Sequence, residues 1–224
     1  VVSGRDKDRG SAVVADIRAA GGRADFIAAE LDGSPRASAD LAAEAGGLLG
    51  GRIDVLVNNA GIYPGATTTS TDEATFDRVY AVNVKAPYFL TAAIAPGMAE
   101  RGSGAIINLG SWIARLGVPV GSLYSSTKGA METLTRAWAA EFGPAGVRVN
   151  AISPGVVRPP DPPGQDTGSH PADAMMYGTP AGRSGTADAI AHAAVYLASD
   201  EAWFVQGTVV DVDGGRVGVA VIAA

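Results

Sequence analysis

The 224-residue chain contains no cysteine, which excludes disulfides, thiolate metal sites and a cysteine nucleophile. Its two histidines, His170 and His192, stand far apart with no carboxylate at a ligand-like spacing, so no metal site is expected. No run of about 18 apolar residues occurs, and the opening VVSGRDKDRG carries charge where a secretion signal needs an apolar core. A soluble, cytoplasmic protein without a membrane partner is the expectation. Long runs of one charge are also missing. The balance of 17 basic against 23 acidic residues gives −6, which argues against nucleic acid as a partner.

What is present is apolar and alternating. With 47% hydrophobic residues, the chain suffices for one well-buried domain spanning residues 1–224. Strand-like runs occur at Val1–Val2, Phe26–Ala29, Ile53–Val57, Ala105–Leu109, Val147–Ile152 and Thr208–Val212. Most are continuously apolar, which suits strands covered on both faces. Alanine-rich helical patterns lie between them at about Asp8–Ala20, Ser34–Leu49, Asp72–Arg101, Leu123–Phe142 and Ala187–Ala198, with Asp8, Ser34 and Asp72 as capping candidates. The order predicts an α/β fold: a doubly wound, Rossmann-type parallel sheet in a three-layer α/β/α sandwich. Pro159–Pro180, with six prolines, reads as the heart of a long loop or lid over about 158–184, where Met175, Met176 and Tyr177 suggest an apolar substrate wall.

One further absence concerns the beginning. A dinucleotide-binding βαβ unit opens with a strand, a glycine-rich turn and a helix, yet no GxGxxG or similar cluster precedes a helix here. The sequence opens on what reads as a second strand. The expectation is that a segment of about 30 residues, one βα unit, precedes Val1 in the native protein. Without its central strand, the first two strands would stand apart from the rest.

Tyr124 and Lys128 are four residues apart in a helical pattern and share one face. An ammonium beside a phenol favours the phenolate, which suits general acid/base work. The same spacing also fits an exposed helix pair. The buried run Ala105–Leu109 ends in Gly110-Ser111, placing a hydroxyl at the carboxyl end of the sheet, where open α/β folds bind ligands. Ser111 could polarise a carbonyl there or simply cap a turn. Ile53–Val57 runs into Asn58-Asn59-Ala60-Gly61, a small-residue turn that a flat ligand could approach closely. Asn83 is an amide in an apolar helical segment and needs partners.

Taken in order, NNAG at Asn58–Gly61, VN at Val82-Asn83, INLGS ending at Ser111, YSSTK at Tyr124–Lys128, RVN at Arg148–Asn150, SPG at Ser153–Gly155 and VDGG at Val212–Gly215 resemble the short-chain dehydrogenase/reductase family. The resemblance implies an NAD(P)-dependent oxidoreductase moving a hydride between a nicotinamide and a ketone or secondary alcohol, including 3-oxoacyl reductase-like chemistry. By the same resemblance Tyr124 exchanges the proton, Lys128 lowers its pKa and binds the nicotinamide ribose, Ser111 holds the carbonyl oxygen, and Asn83 anchors a relay water. Asn59, Ala60 and Gly61 would line the cofactor, with Pro154, Gly155 and Val157 beside the nicotinamide and Glu30 and Leu31 near the adenine. Relatives specific for NAD place an acid at the end of the second strand. Here Gly4 and Arg5 stand there, which favours NADP(H) over NAD(H), since a guanidinium pairs with a 2′-phosphate. The sequence departs from the pattern after Gly155, where Val156-Val157-Arg158-Pro159 lacks a threonine that relatives use on the carboxamide. The resemblance further implies a homotetramer or homodimer built on the helices at about Asp72–Arg101 and Leu123–Phe142 and the last strand. The alternative reading is a catalytically silent relative serving as a binding or assembly module, or a chain too short to hold cofactor.

Overall fold

Short β-branched runs and alanine-rich segments resolve, in a computed structural model describing residues 1–119, 121–159 and 169–220, into six strands and six longer helices. The strands are β1 (Val2–Gly4), β2 (Phe26–Ala28), β3 (Val55–Asn58), β4 (Gly104–Leu109), β5 (Val147–Pro154) and β6 (Val209–Val212). The helices are α1 (Lys7–Ala19), α2 (Pro35–Leu48), α3 (Glu73–Tyr80), α4 (Ala86–Arg101), α5 (Ser122–Phe142) and α6 (Ala187–Ala198). Every strand pairing is parallel. On β4 the adjacent residues Ile106 and Ile107 enter different cores. Ile106 packs with Ile94, Met98, Met131 and Trp138 beneath α4 and α5, and Ile107 with Ile152 and Leu197 beneath α6. Helices thus cover both faces of the sheet, the three-layer arrangement expected of continuously apolar strands.

The expected first strand shifts: it runs Val2–Gly4 rather than Val1–Val2, so the chain turns one step before Arg5. Asp6, not Asp8, caps α1, its carboxylate accepting the Arg9 N–H at 3.0 Å. Ser34 and Asp72 cap α2 and α3 as anticipated. The single helix expected over Asp72–Arg101 is α3 and α4 joined by a wide π-turn at Ala81–Lys85. Asn58 joins β3 because its amide donates to Asn108 Oδ1 on β4 at 2.9 Å, and Asn108 donates in turn to Thr135 of α5 at 2.8 Å. This ladder offsets part of the cost of burying the two amides, although Asn58 Oδ1 is left without a partner among the described residues.

The sheet is not continuous. Order β1-β2 forms one piece and β3-β4-β5-β6 another. Between the facing edges of β1 and β3 lies a slot of about 320 Å³ lined by Val1, Ser3, Leu31, Val55, Val57 and Ile94 among others. Val55 and Val57 are 40% and 45% exposed, unusual for valines on a parallel strand.

The lid expectation meets the structure only in part, because residues 160–168 lie outside the described residues. The remainder is braced. Pro171–Met176 forms a 3₁₀ turn, and the Asp173 carboxylate accepts hydrogen bonds from Ser184 Oγ, the Ser184 N–H and the His170 N–H. Those bonds, Ser184 foremost, draw its pKa down to about 2. Met176 is 1% exposed and packed toward Gly214, while Tyr177 is 93% exposed. Met176 also lines a cavity of about 560 Å³, and Met175 is 52% exposed.

Candidate active site

Ser111 leaves β4 in extended conformation, and its Oγ accepts the Ile113 N–H at 3.4 Å to open a 3₁₀ turn at Trp112–Ala114. It therefore caps a turn and also stands in the site. Ser125 of α5 donates to the Ile113 carbonyl at 2.6 Å and ties that turn to the helix carrying Tyr124. The Ser111 hydroxyl stands near enough to the Tyr124 phenol to act on its ionisation, so the two hydroxyls share one end of the sheet.

Lys128, one turn along α5 and 5% exposed, donates to the Leu109 carbonyl at 2.8 Å. Its ammonium is 5.5 Å from the centre of the Tyr124 ring. Burial lowers the Lys128 pKa to about 8, since the charged form loses water. Burial also raises the Tyr124 pKa, opposed by the nearby Ser111 hydroxyl and reinforced by the neighbouring Tyr63. Lys128 is not among these causes. The ammonium is committed to the end of β4 and is itself weakened as a cation.

The π-turn explains Asn83. Widening the helix by one residue turns this amide inward, where Oδ1 accepts the Ile62 N–H at 2.8 Å. Nδ2 donates to the Ile62 carbonyl at 3.0 Å and to Thr127 Oγ1 at 3.2 Å. Asn83 thus fastens the segment after Gly61 to α5, and both its N–H groups are engaged within the protein. A Cβ placed on Gly61 would lie in ordinary contact, 3.5 Å from Asn83 Oδ1 and 3.6 Å from Lys128 Nζ, so Gly61 stands beside both.

Gly61 also lines a cavity of about 850 Å³ with Gly4, Arg5, Glu30, Leu31 and Ala60, together with Arg78 and Lys85. Five of the expected cofactor residues therefore share one cavity. Asn59 lines the neighbouring slot instead. Pro154 and Gly155 extend β5 beyond Ile152, the register partner of Leu109, and so lie at the same sheet end as Ser111. Gly155 packs on Asp213, where a Cβ would come within 2.5 Å of the Asp213 Cα. Val157 bridges to Gly185 and lines a separate cavity of about 560 Å³.

Sequence reasoning missed several participants. Arg115 donates to Ser153 at 2.8 Å and to both oxygens of Asp211, and its Nε is 3.6 Å from Glu132 Oε1. It binds the turn after Ser111 to the ends of β5 and β6. Burial raises the pKa of Glu132, against the pull of Arg115. Arg216 lies 4.0 Å over the Trp112 ring on the other side of that turn. Only the arginines' proximity to recognised motifs could have flagged them. Among the described residues there is no metal-holding group of His, Cys, Asp or Glu, and no helix is long and apolar enough to cross a membrane.

A parallel sheet with a nucleotide-sized cavity at the strand ends and a Ser-Tyr-Lys constellation beside it defines a Rossmann-type oxidoreductase. The comparisons agree. A family profile described as enoyl-(acyl carrier protein) reductase matches residues 1–216. The 2-(S)-hydroxypropyl-CoM dehydrogenase 3 of Xanthobacter autotrophicus is 39% identical over 173 residues, 75% of this chain and 68% of that protein. A solved short-chain dehydrogenase/reductase family protein is 44% identical with a TM-score of 0.82, covering 97% of this chain and 86% of that one. A gluconate 5-dehydrogenase from Burkholderia cenocepacia, solved with NADP and tartrate, gives a TM-score of 0.85 at 29% identity, covering 98% and 85%. The chain belongs to the short-chain dehydrogenase/reductase family, and it is an NAD(P)-dependent oxidoreductase of alcohols and ketones.

The cavity fits a nicotinamide dinucleotide on its adenosine side: Gly61 leaves room, and Arg5, Arg78 and Lys85 supply cationic side chains at its wall. When bound, that cofactor supplies the hydride.

Proposed function

We propose that the protein is an NADP(H)-preferring carbonyl reductase or secondary alcohol dehydrogenase in which Tyr124, Ser111, Lys128 and Asn83 form the catalytic set. The observation that carries this reading is the convergence at the carboxyl end of β4 of Ser111 with Tyr124 and Lys128 of α5, the Lys128 ammonium bound to the Leu109 carbonyl at 2.8 Å and 5.5 Å from the centre of the Tyr124 ring. Two hydroxyls there converge on one substrate oxygen: Ser111 donates to it and Tyr124 delivers or withdraws its proton. Lys128 and Asn83 hold the helix and the post-β3 segment in register around them. Pro154, Gly155 and Val157 border the nicotinamide end, and Glu30, Leu31, Asn59, Ala60 and Gly61 the adenosine end.

Arg5 supports the NADP(H) preference, because it lines the cavity next to the end of β1, where no acid stands. A charge-assisted pair of this kind is worth about 1.5–3 kcal/mol, so Arg5→Ala is expected to weaken NADP(H) binding roughly 10- to 100-fold. Affinity for NAD(H) should move little. Fluorescence titration with both reduced cofactors tests this, and equal losses for the two would refute the assignment. Turnover of a ketone panel with NADPH, and of secondary alcohols with NADP, tests the activity itself.

Assembly into a homotetramer or homodimer in the cytoplasm belongs to the same proposal. Phe76 on α3 and Tyr88 on α4 leave 48% and 45% of their surface exposed, side chains suited to a helix–helix interface. Light scattering should give two or four chain masses; a monomer at micromolar concentration would remove this part.

A further inference from the structure

The aromatic residue nearest the reacting phenol belongs to no motif in the sequence. Tyr63 lies in the segment after β3, and its ring meets that of Tyr124 edge-to-face, with centroids 5.0 Å apart and planes at 68°. Both sides of Tyr63 are anchored. Just before it, the backbone of Ile62 is held through its N–H and its carbonyl by Asn83. Just after it, the Ala66 carbonyl accepts the Gly121 N–H at 3.3 Å, and Thr68 and Ser122 share a hydroxyl hydrogen bond of 2.9 Å.

Gly121 is shaped to admit the ring. Its φ is +91°, a region that side-chain-bearing residues rarely adopt, and a Cβ there would sit 2.9 Å from Tyr63 Cε2. The segment and the start of α5 are thus mutually fitted so that Tyr63 lies against Tyr124. Even so, Tyr63 remains 53% exposed, which leaves part of the side chain that packs on Tyr124 open to solvent.

We propose that Tyr63 is a positioning and specificity residue of this site: its ring fixes the Tyr124 phenol against Ser111, and its free surface receives a flat or ring-shaped apolar group attached to the substrate carbonyl. The inference rests on the carbonyl reductase reading for its substrate half and on geometry alone for its positioning half. An aromatic wall favours aryl and cyclic ketones over short aliphatic ones, since a ring buries more apolar surface against it and adds the edge-to-face attraction of paired aromatic rings.

Three groups face the Tyr124 ring: Ser111 from the end of β4, Lys128 from its own helix, and Tyr63 from the post-β3 segment. The first test needs no turnover. Ionisation of the Tyr124 phenol is followed at about 295 nm as the difference between the protein and its Tyr124→Phe variant, in three backgrounds: Tyr63, Tyr63→Phe and Tyr63→Ala. Truncation to alanine removes part of the burial that raises this pKa, so the Tyr124 titration should move to lower pH. Tyr63→Phe keeps the ring and should retain most of the original position.

The second test measures KM and kcat for an aryl ketone and for a short aliphatic ketone. Tyr63→Ala should raise the aryl ketone KM by roughly 3- to 10-fold with less than about a twofold change for the aliphatic one, and Tyr63→Phe should restore the discrimination. If Tyr63→Ala leaves both the titration and the KM ratio unchanged, the proposal is wrong. It is equally wrong if Tyr63→Phe matches the alanine variant in both. Absence of turnover with every ketone would instead strike the functional reading, and the titration would still decide whether Tyr63 positions Tyr124. Should Tyr63→Ala fail to fold by circular dichroism, Tyr63→Leu keeps the bulk without the aromatic face and serves in its place.

Discussion

Tyr124→Phe is expected to lower kcat for ketone reduction by about 10²- to 10⁴-fold, the range for loss of a positioned general acid. The substitution removes one oxygen and keeps the ring, so the packing against Tyr63 and the position of α5 survive. Cofactor affinity and thermal stability should therefore stay close to those of the parent, which separates chemistry from folding. The pH profile carries a second reading. Burial holds the Tyr124 pKa above that of an ordinary phenol, so the proton is in place at neutral pH. Reduction consumes that proton, so its rate should be flat through neutrality and fall as pH rises through the phenol's pKa. Alcohol oxidation needs the phenolate and should rise over the same interval. Steady-state kinetics in both directions measure all of this, and a variant within tenfold of the parent would remove Tyr124 from the mechanism.

The second large effect concerns the slot between β1 and β3. A chain carrying one additional βα unit ahead of Val1 is expected to bind nicotinamide cofactor far more tightly and to melt at a higher temperature. A strand laid in the slot would hydrogen-bond to β1 on one side and β3 on the other and cover Val55 and Val57. Three buried apolar side chains contribute about 1.5–3 kcal/mol each before ordering costs. A net gain of about 3 kcal/mol corresponds to roughly 6–12 °C in Tm for a protein of this size. The helix following such a strand would place its N-terminus at the mouth of the cavity, where backbone N–H groups bind phosphate. At least a tenfold tighter Kd should result. Differential scanning calorimetry and cofactor titration on the two forms give the answer; equal Tm and equal Kd would mean that the slot is not a strand site.

Much of this architecture was legible because its signals are local. Tyr124 and Lys128 announce their shared face by spacing alone, and Ser111 is placed by the end of an apolar run. Asn58 was read as the start of a turn, and only its partnership with Asn108, fifty residues away, draws it into β3. The π-turn at Ala81–Lys85 was hidden because the apolar pattern continues through it from α3 into α4. Arg115 reaches Asp211 across 96 residues, a distance over which composition carries no information. Tyr63 was invisible for a related reason: its position depends on two anchors and a glycine that are far apart in sequence and meet only in the fold. The phenol's raised pKa is likewise a matter of burial, which spacing along one helix cannot express.

The divided sheet also bears on how the molecule opens. Among the described residues β1 and β2 pair only with each other, and α1 packs on those two strands. β2 also touches α2, which in turn packs against α4. The first thirty or so residues therefore form a unit that could detach as a whole, while β4, β5 and α5 keep the deepest core between them. Such sub-global openings cost less than complete unfolding. Detachment would dismantle the wall formed by Arg5, Glu30 and Leu31 but leave Ser111, Tyr124 and Lys128 where they are. Heat or mild denaturant should thus strip the molecule of its grip on the nucleotide while its acid–base centre is still folded.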